Sequence, residues 1–175
     1  ARPHPVGSEA NLVVRDYLVQ RAREVGVSVD TQRGGEGAEN VIIRLPGSAS
    51  TGVVLVTAHY DAAPGAPGAG DAGVAVASLL ESIRALAEGP PLRNDVMFLF
   101  SDGEEAGWLG SNAFVDSPES EQVAVVVAME SEPGNGPTTL QQTSPGDGWL
   151  IRQLVAADPP AWVSSVSNSA ERDDF

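Results

Sequence analysis

Three apolar runs constrain this chain more than anything else in it: "GVVLVTAH" (52–59), "NDVMFLFS" (94–101) and "VAVVVAME" (123–130). Each is nearly unbroken by polar residues and rich in β-branched or aromatic ones, as in strands buried on both faces of a sheet. Between the first two lies "DAGVAVASLLESIRALAEG" (71–89), with apolar residues at helical spacing and a stop at Gly89-Pro90-Pro91. Between the second and third, "EEAGWLGSNAFVDS" begins a shorter helix. This alternation predicts an α/β fold, a three-layer αβα sandwich around a mixed, mainly parallel central sheet.

The flanking segments fit the same plan. Ser8 and Glu9 open a helix that carries Ala10, Val13, Val14, Tyr17, Leu18, Ala22 and Val25, and Gly26 closes it. "VSVDT" (27–31) and "NVIIRL" (40–45) read as strands joined by the glycine-rich "QRGGEGAE". "TTLQQT" reads as a strand and "GWLIRQLVAAD" (148–158) as a helix. No repeat or linker divides the 175 residues, so one domain over 1–175 is expected. The end, "NSAERDDF", has no finishing element, and the expectation is a domain incomplete at its C-terminus.

Composition excludes several classes of partner. Formal net charge is −14, and the ten basic residues are all arginine. Nucleic-acid binding needs clustered positive charge, so no nucleic-acid partner is expected. With no cysteine there is neither a disulfide framework nor thiolate chemistry. No apolar run reaches the ~20 residues a membrane span requires, and no signal peptide is visible, so no membrane contact is expected of this segment.

The chemistry lies where the apolar runs end, because open α/β sheets bind ligands at the carboxyl ends of their parallel strands. The first run ends in His59-Tyr60-Asp61, the second in Ser101-Asp102-Gly103-Glu104-Glu105, the third in Met129-Glu130, and Asp71 arrives through the 62–70 loop. Residues i and i+2 of an extended segment share a face, so Asp61 is placed to hold one nitrogen of His59 and leave the other for a metal. A histidine merely hydrogen-bonded at a strand end fits the same spacing. Asp71 suits either a helix N-cap or a metal ligand. Adjacent Glu104 and Glu105 repel unless a cation or proton lies between them, and one is then free to ligate while the other reaches a water. An acidic first helical turn, Asp102 included, is the alternative. Glu130, after so apolar a strand, needs an arginine or a metal as partner. Taken together, these donors put nitrogen and oxygen ligands without sulfur on one rim, which suits hydrolytic zinc, with cobalt or manganese as alternatives.

"TAHYDAAPGAPGAGDAG", "FLFSDGEEAGWLGSNAF" and "VVVAMES" resemble the successive signatures of zinc aminopeptidases of peptidase family M28, in particular the branch with a membrane-tethered peptidase domain. "ARPHPVGSEANLVVRDYL" and "ENVIIRLPGS" resemble the opening of that branch. The resemblance implies a zinc-exopeptidase fold and two zinc ions. His59 and Glu130 would hold one, Asp71 would bridge both, Glu105 would bind the second, Glu104 would be the general base and Asp61 would orient His59. It also implies a peptide substrate cleaved at its first bond and an extracytoplasmic location: secreted, periplasmic or membrane-tethered. A glutaminyl cyclase or carboxypeptidase of the same fold, or a non-catalytic binding module, are the alternatives. The chain departs from the family pattern at Ala72 and Ala75. The family's last ligand is a histidine from a later segment, expected beyond residue 175. His4 is the only other histidine and stands in the opening segment.

Overall fold

The computed structural model describes residues 2–130, 138–157 and 161–163. They fall into two compact units, Ala1–Pro133 and Gly134–Phe175. "ERDDF", at 171–175, lies outside the described residues.

The first unit is built on a five-stranded sheet. Its strands are β1 (Ser28–Arg33), β2 (Glu39–Leu45), β3 (Val53–His59), β4 (Asp95–Ser101) and β5 (Val123–Ala128), in the order β1-β2-β4-β3-β5. β3 runs parallel to both of its neighbours, β4 and β5, while β1–β2 and β2–β4 are antiparallel. The parallel trio therefore sends the ends of three strands to one edge. His59 pairs in register with Ser101, and Thr57 with Ala128.

Helices cover both faces. α1 (Glu9–Val25) and α2 (Gly73–Glu88) pack on one side around a core of Leu18, Ile43, Leu79, Ile83, Phe98 and Phe100. On the other side, Phe114 of α3 (Leu109–Val115) packs against Ile42, Leu55, Met97 and Leu99. α1 starts and stops as its sequence predicts. Ser8 accepts the Asn11 N–H at 3.1 Å, and Gly26, at φ 80°, returns its own N–H to Ala22 and Arg23. Its buried residues are Asn11, Leu18 and Ala22, while Val13 and Tyr17 of the same apolar series are exposed. α2 buries Ala75, Leu79 and Ile83, spaced i, i+4, i+8. Burying each of the two larger side chains is worth about 1.5–3 kcal/mol.

Two expectations are corrected. "VAVVVAME" is not a strand buried on both faces. β5 is the edge of the sheet among the described residues, with Val126 53% and Val127 40% exposed. An apolar run records affinity for a sheet but not the number of neighbours the strand will have. The helix after β4 begins at Leu109 rather than Glu104, so Glu104 and Glu105 are not its acidic first turn. They lie in a tight turn in which the Glu104 carbonyl accepts the N–H groups of Gly107 and Trp108.

In the second unit, β6 (Thr138–Leu140) and β7 (Ala161–Val163) pair in parallel, with α4 (Gly148–Ala156) between them in sequence.

Candidate metal centre

His59 is the last residue of the central strand β3 and is 3% exposed. Its Nδ1 faces inward, 3.2 Å from the Asp61 carbonyl and 3.4 Å from the Asp61 carboxylate. Its Nε2 faces outward, 2.9 Å from Asp71 Oδ1 and 3.3 Å from Glu130 Oε1. One nitrogen is thus occupied by a buried oxygen pair, and the other meets two carboxylates. Burial works against the imidazolium, but the hydrogen bond to Asp61 and the Glu130, Asp61 and Asp71 carboxylates outweigh it, and the pKa is pushed up to about 9. A proton and a cation compete for this nitrogen.

Asp71 reaches the site without serving as a cap. The N-cap of α2 is Ala72, and no side chain caps that helix. The Asp71 carboxylate turns to His59 instead. The Asp71–Ala72 peptide is cis. The first amide of α2, from Gly73, donates to the Gly68 carbonyl at 3.1 Å, so the loop before Asp71 does the capping with its backbone. Glu130 follows β5 by two residues, and its side chain is 48% exposed.

His59, Asp71 and Glu130 each present one ligand atom within 4.8 Å of the others, the geometry of a group able to hold a metal ion. The donor set is one imidazole nitrogen and carboxylate oxygens, which fits zinc. Two acids and an imidazole brought this close need a positive charge among them, supplied by either a proton or a metal.

Glu104 and Glu105 come to the same rim by a route the spacing did not reveal. The Asp61 carboxylate is 1% exposed and accepts the Glu104 N–H at 3.0 Å through Oδ1 and the Glu105 N–H at 3.2 Å through Oδ2. Burial opposes its charge, but the His59 contact and the two amides outweigh that and hold its pKa below the usual carboxylate range. A single buried carboxylate therefore ties the end of β3 to the turn after β4. The Glu104 side chain is half-buried. Burial and the neighbouring charges of Glu105 and Glu130 hold its pKa above the ordinary glutamate value, against an opposing pull from His59. Glu105 is exposed and does not join the three-residue cluster.

Behind the rim, Asp102 is buried at 1% exposure and accepts Asn11 Nδ2 at 2.9 Å and the Glu39 N–H at 2.9 Å. It links α1 to β2 and to the end of β4. Sequence reading placed Asp102 only in an acidic turn. Its actual partners lie 91 and 63 residues away, and no local signal marks them.

Comparison with known proteins gives a consistent result. Residues 40–175 match the model of peptidase family M28. The "Vacuolar membrane protease" of Candida albicans (strain SC5314 / ATCC MYA-2876) is 34% identical over 149 residues, covering 79% of this chain and 18% of that protein. "Endoplasmic reticulum metallopeptidase 1" of Rattus norvegicus is 30% identical over 192 residues, covering 94% of this chain and 21% of that protein. The chain thus spans about a fifth of the length of these curated relatives. Among solved structures, Porphyromonas gingivalis glutaminyl cyclase superposes with a TM-score of 0.72 at 26% identity, over 89% of this chain and 64% of that one. The LapA aminopeptidase of Legionella pneumophila superposes with a TM-score of 0.74 at 20% identity, over 91% of this chain and 49% of that one, a likeness of fold. With its fold, its ordered signatures and a family match over most of its length in agreement, the chain belongs to peptidase family M28.

Proposed function

We propose that this chain carries the catalytic face of a zinc-dependent aminopeptidase. The observation that carries the reading is the approach of His59 Nε2, Asp71 and Glu130 to within 4.8 Å of one another at the carboxyl edge of a parallel sheet. The family match runs across both units, which supports reading residues 1–175 as part of one peptidase domain.

In this reading His59, Asp71 and Glu130 would hold one zinc ion, and Asp71 and Glu105 would serve a second. Zinc supplies Lewis-acid polarisation of the scissile carbonyl and lowers the pKa of water from ~15.7 towards ~7. The protein's own residues do the rest. Asp61 holds Nδ1 of His59, so that Nε2 keeps its lone pair aimed at the rim. The same carboxylate, through the two amides, fixes where Glu104 stands. Glu104 takes a proton from the attacking water and delivers it to the departing amine, a role helped by a pKa above that of a solvated glutamate. The exposed acids of the rim attract the free α-amino group of a peptide, which selects for amino termini. Relatives named for vacuolar and endoplasmic-reticulum membranes support an extracytoplasmic, membrane-associated setting for the parent protein. Among the described residues no helix is long and apolar enough to cross a membrane.

The test is zinc binding by calorimetry together with turnover of aminoacyl-nitroanilides, with and without a chelator. Wild type should bind zinc and lose turnover on chelation, and His59→Ala and Asp71→Ala should each lose zinc. Absence of zinc binding in the wild type rejects the reading. The 26% identity to a glutaminyl cyclase favours one second reading, ring closure of an amino-terminal glutamine. A glutaminyl-peptide substrate separates the two, because it is either cleaved or cyclised.

A further inference from the structure

The amino-terminal segment lies against the loop that delivers Asp71. The His4 carbonyl accepts the N–H of Ala62 at 3.3 Å, at the start of that loop. The His4 ring donates from Nδ1 to the Arg2 carbonyl at 3.0 Å, which sets both the tautomer and the ring plane. The ring then covers Gly68. A Cβ at that glycine would come within 2.6 Å of His4 Cε1, 3.1 Å of its Nε2 and 2.7 Å of the Ala62 Cβ. Gly68 sits at φ +64°, and its carbonyl accepts the Gly73 N–H. Gly73 is equally confined, since a Cβ there would approach the Gly68 carbonyl oxygen to 2.7 Å. These contacts form a short chain from the His4 ring to Gly68, to the first amide of α2, with Asp71 held between the last two.

The neighbours of His4 restrict it further. Pro3 and Pro5 flank it and limit the backbone. The Ser8 N–H donates to the Pro5 carbonyl at 3.1 Å, which joins the segment to the cap of α1. The loop itself, "AAPGAPGAG" (62–70), has no side chain longer than proline, and the Ala66 N–H donates to the Ala63 carbonyl at 2.9 Å to close one turn within it. That turn ends before Gly68, and the His4 ring packs on Gly68 from outside the loop. The ring takes no part in the metal-type cluster of His59, Asp71 and Glu130.

We infer that His4 is a positioning residue: its ring clamps Gly68 and thereby aims the Asp71 carboxylate at the metal centre. This rests on the proposed zinc site, and the experiment separates the two. Zinc affinity is measured by competition with a chromogenic chelator, and thermal stability without metal is measured alongside. His4→Ala should bind zinc about tenfold more weakly, within the range seen when residues behind a metal ligand are lost, and should lower kcat more than it changes KM. His4→Phe, which keeps a planar ring over Gly68, should restore zinc affinity to within about threefold of wild type. Gly68→Ala, which drives a methyl into the ring, should reproduce the His4→Ala defect. Zinc affinity of His4→Ala within twofold of wild type overturns the inference, as does a loss of metal-free stability alone. Failure of the wild type to bind zinc instead rejects the underlying site.

Discussion

The Asp61 carboxylate accepts the main-chain N–H of Glu104 at 3.0 Å, across 43 residues of sequence, while its own backbone carbonyl lies 3.2 Å from Nδ1 of His59. One buried acid therefore sets both the histidine and the glutamate proposed for catalysis. Removing its side chain leaves two amides without an acceptor and leaves Nδ1 of His59 with the backbone carbonyl of residue 61 alone. Asp61→Ala should lose about 3 kcal/mol of stability and about 10²-fold in kcat, the scale of a ~1 Å misplacement. Asp61→Asn keeps the shape and one acceptor oxygen but turns an NH2 towards a donor, and it should fall between wild type and alanine. Urea denaturation and steady-state kinetics check both variants.

Glu104 is assigned proton transfer and no metal. Glu104→Gln preserves size and the main-chain bonds to Asp61. It should cut kcat by about 10²–10⁴-fold, the usual contribution of a general base, while zinc affinity stays within about threefold of wild type. A parallel loss of zinc would instead make Glu104 a ligand.

Gly110, in the first turn of α3, is set by a different requirement. A Cβ there would collide with Asn40 Oδ1 and meet the backbone of Asp102 at 2.6 Å and 2.7 Å. Its own N–H donates to the Asp102 carbonyl at 2.8 Å, and its carbonyl accepts Asn40 Nδ2 at 2.8 Å. The methyl has no room unless these bonds break. Gly110→Ala should cost about 3 kcal/mol or more, read as a shift in the urea midpoint with an unchanged slope.

Asp102 predicts a pH dependence of stability. Burial is the largest influence on it and raises its pKa above the unfolded value of 3.8, against the pull of its Glu39, Asn11 and Tyr60 partners. A carboxyl raised in the folded state contributes stability that is full below the unfolded pKa. That contribution is lost as pH rises through the folded pKa. Asp102→Asn removes this titration and also turns one NH2 towards a donor, either Asn11 Nδ2 or the Glu39 amide. The variant should be less stable than wild type by about 1–3 kcal/mol near pH 3.5. The gap should narrow as pH rises from about 4. Metal-free denaturation across that range measures it, and a gap that widens with pH contradicts the assignment.

Much of this architecture is local, and was legible for that reason. Strand and helix identity follow from the period of apolar side chains, so β3, α2 and β4 fall within two residues of where their patterns put them. α1 is bounded by Ser8 and Gly26 because capping involves only nearest neighbours along the chain. The candidate ligands His59, Asp71 and Glu130 stand out because polar residues at the ends of apolar runs go where a parallel sheet sends them.

Spacing along one chain is enough to tell which segments become strands and helices and which polar groups reach the carboxyl edge of the sheet. Three-dimensional packing alone sets β5 at the sheet edge among the described residues, turns Asp71 to His59 rather than to the cap of α2, gathers the amides of Glu104 and Glu105 on Asp61 and lays His4 over Gly68. Each of those outcomes depends on which partner lies within about 3 Å after folding, and contacts between residues so far apart in sequence leave no period or motif in the chain to read.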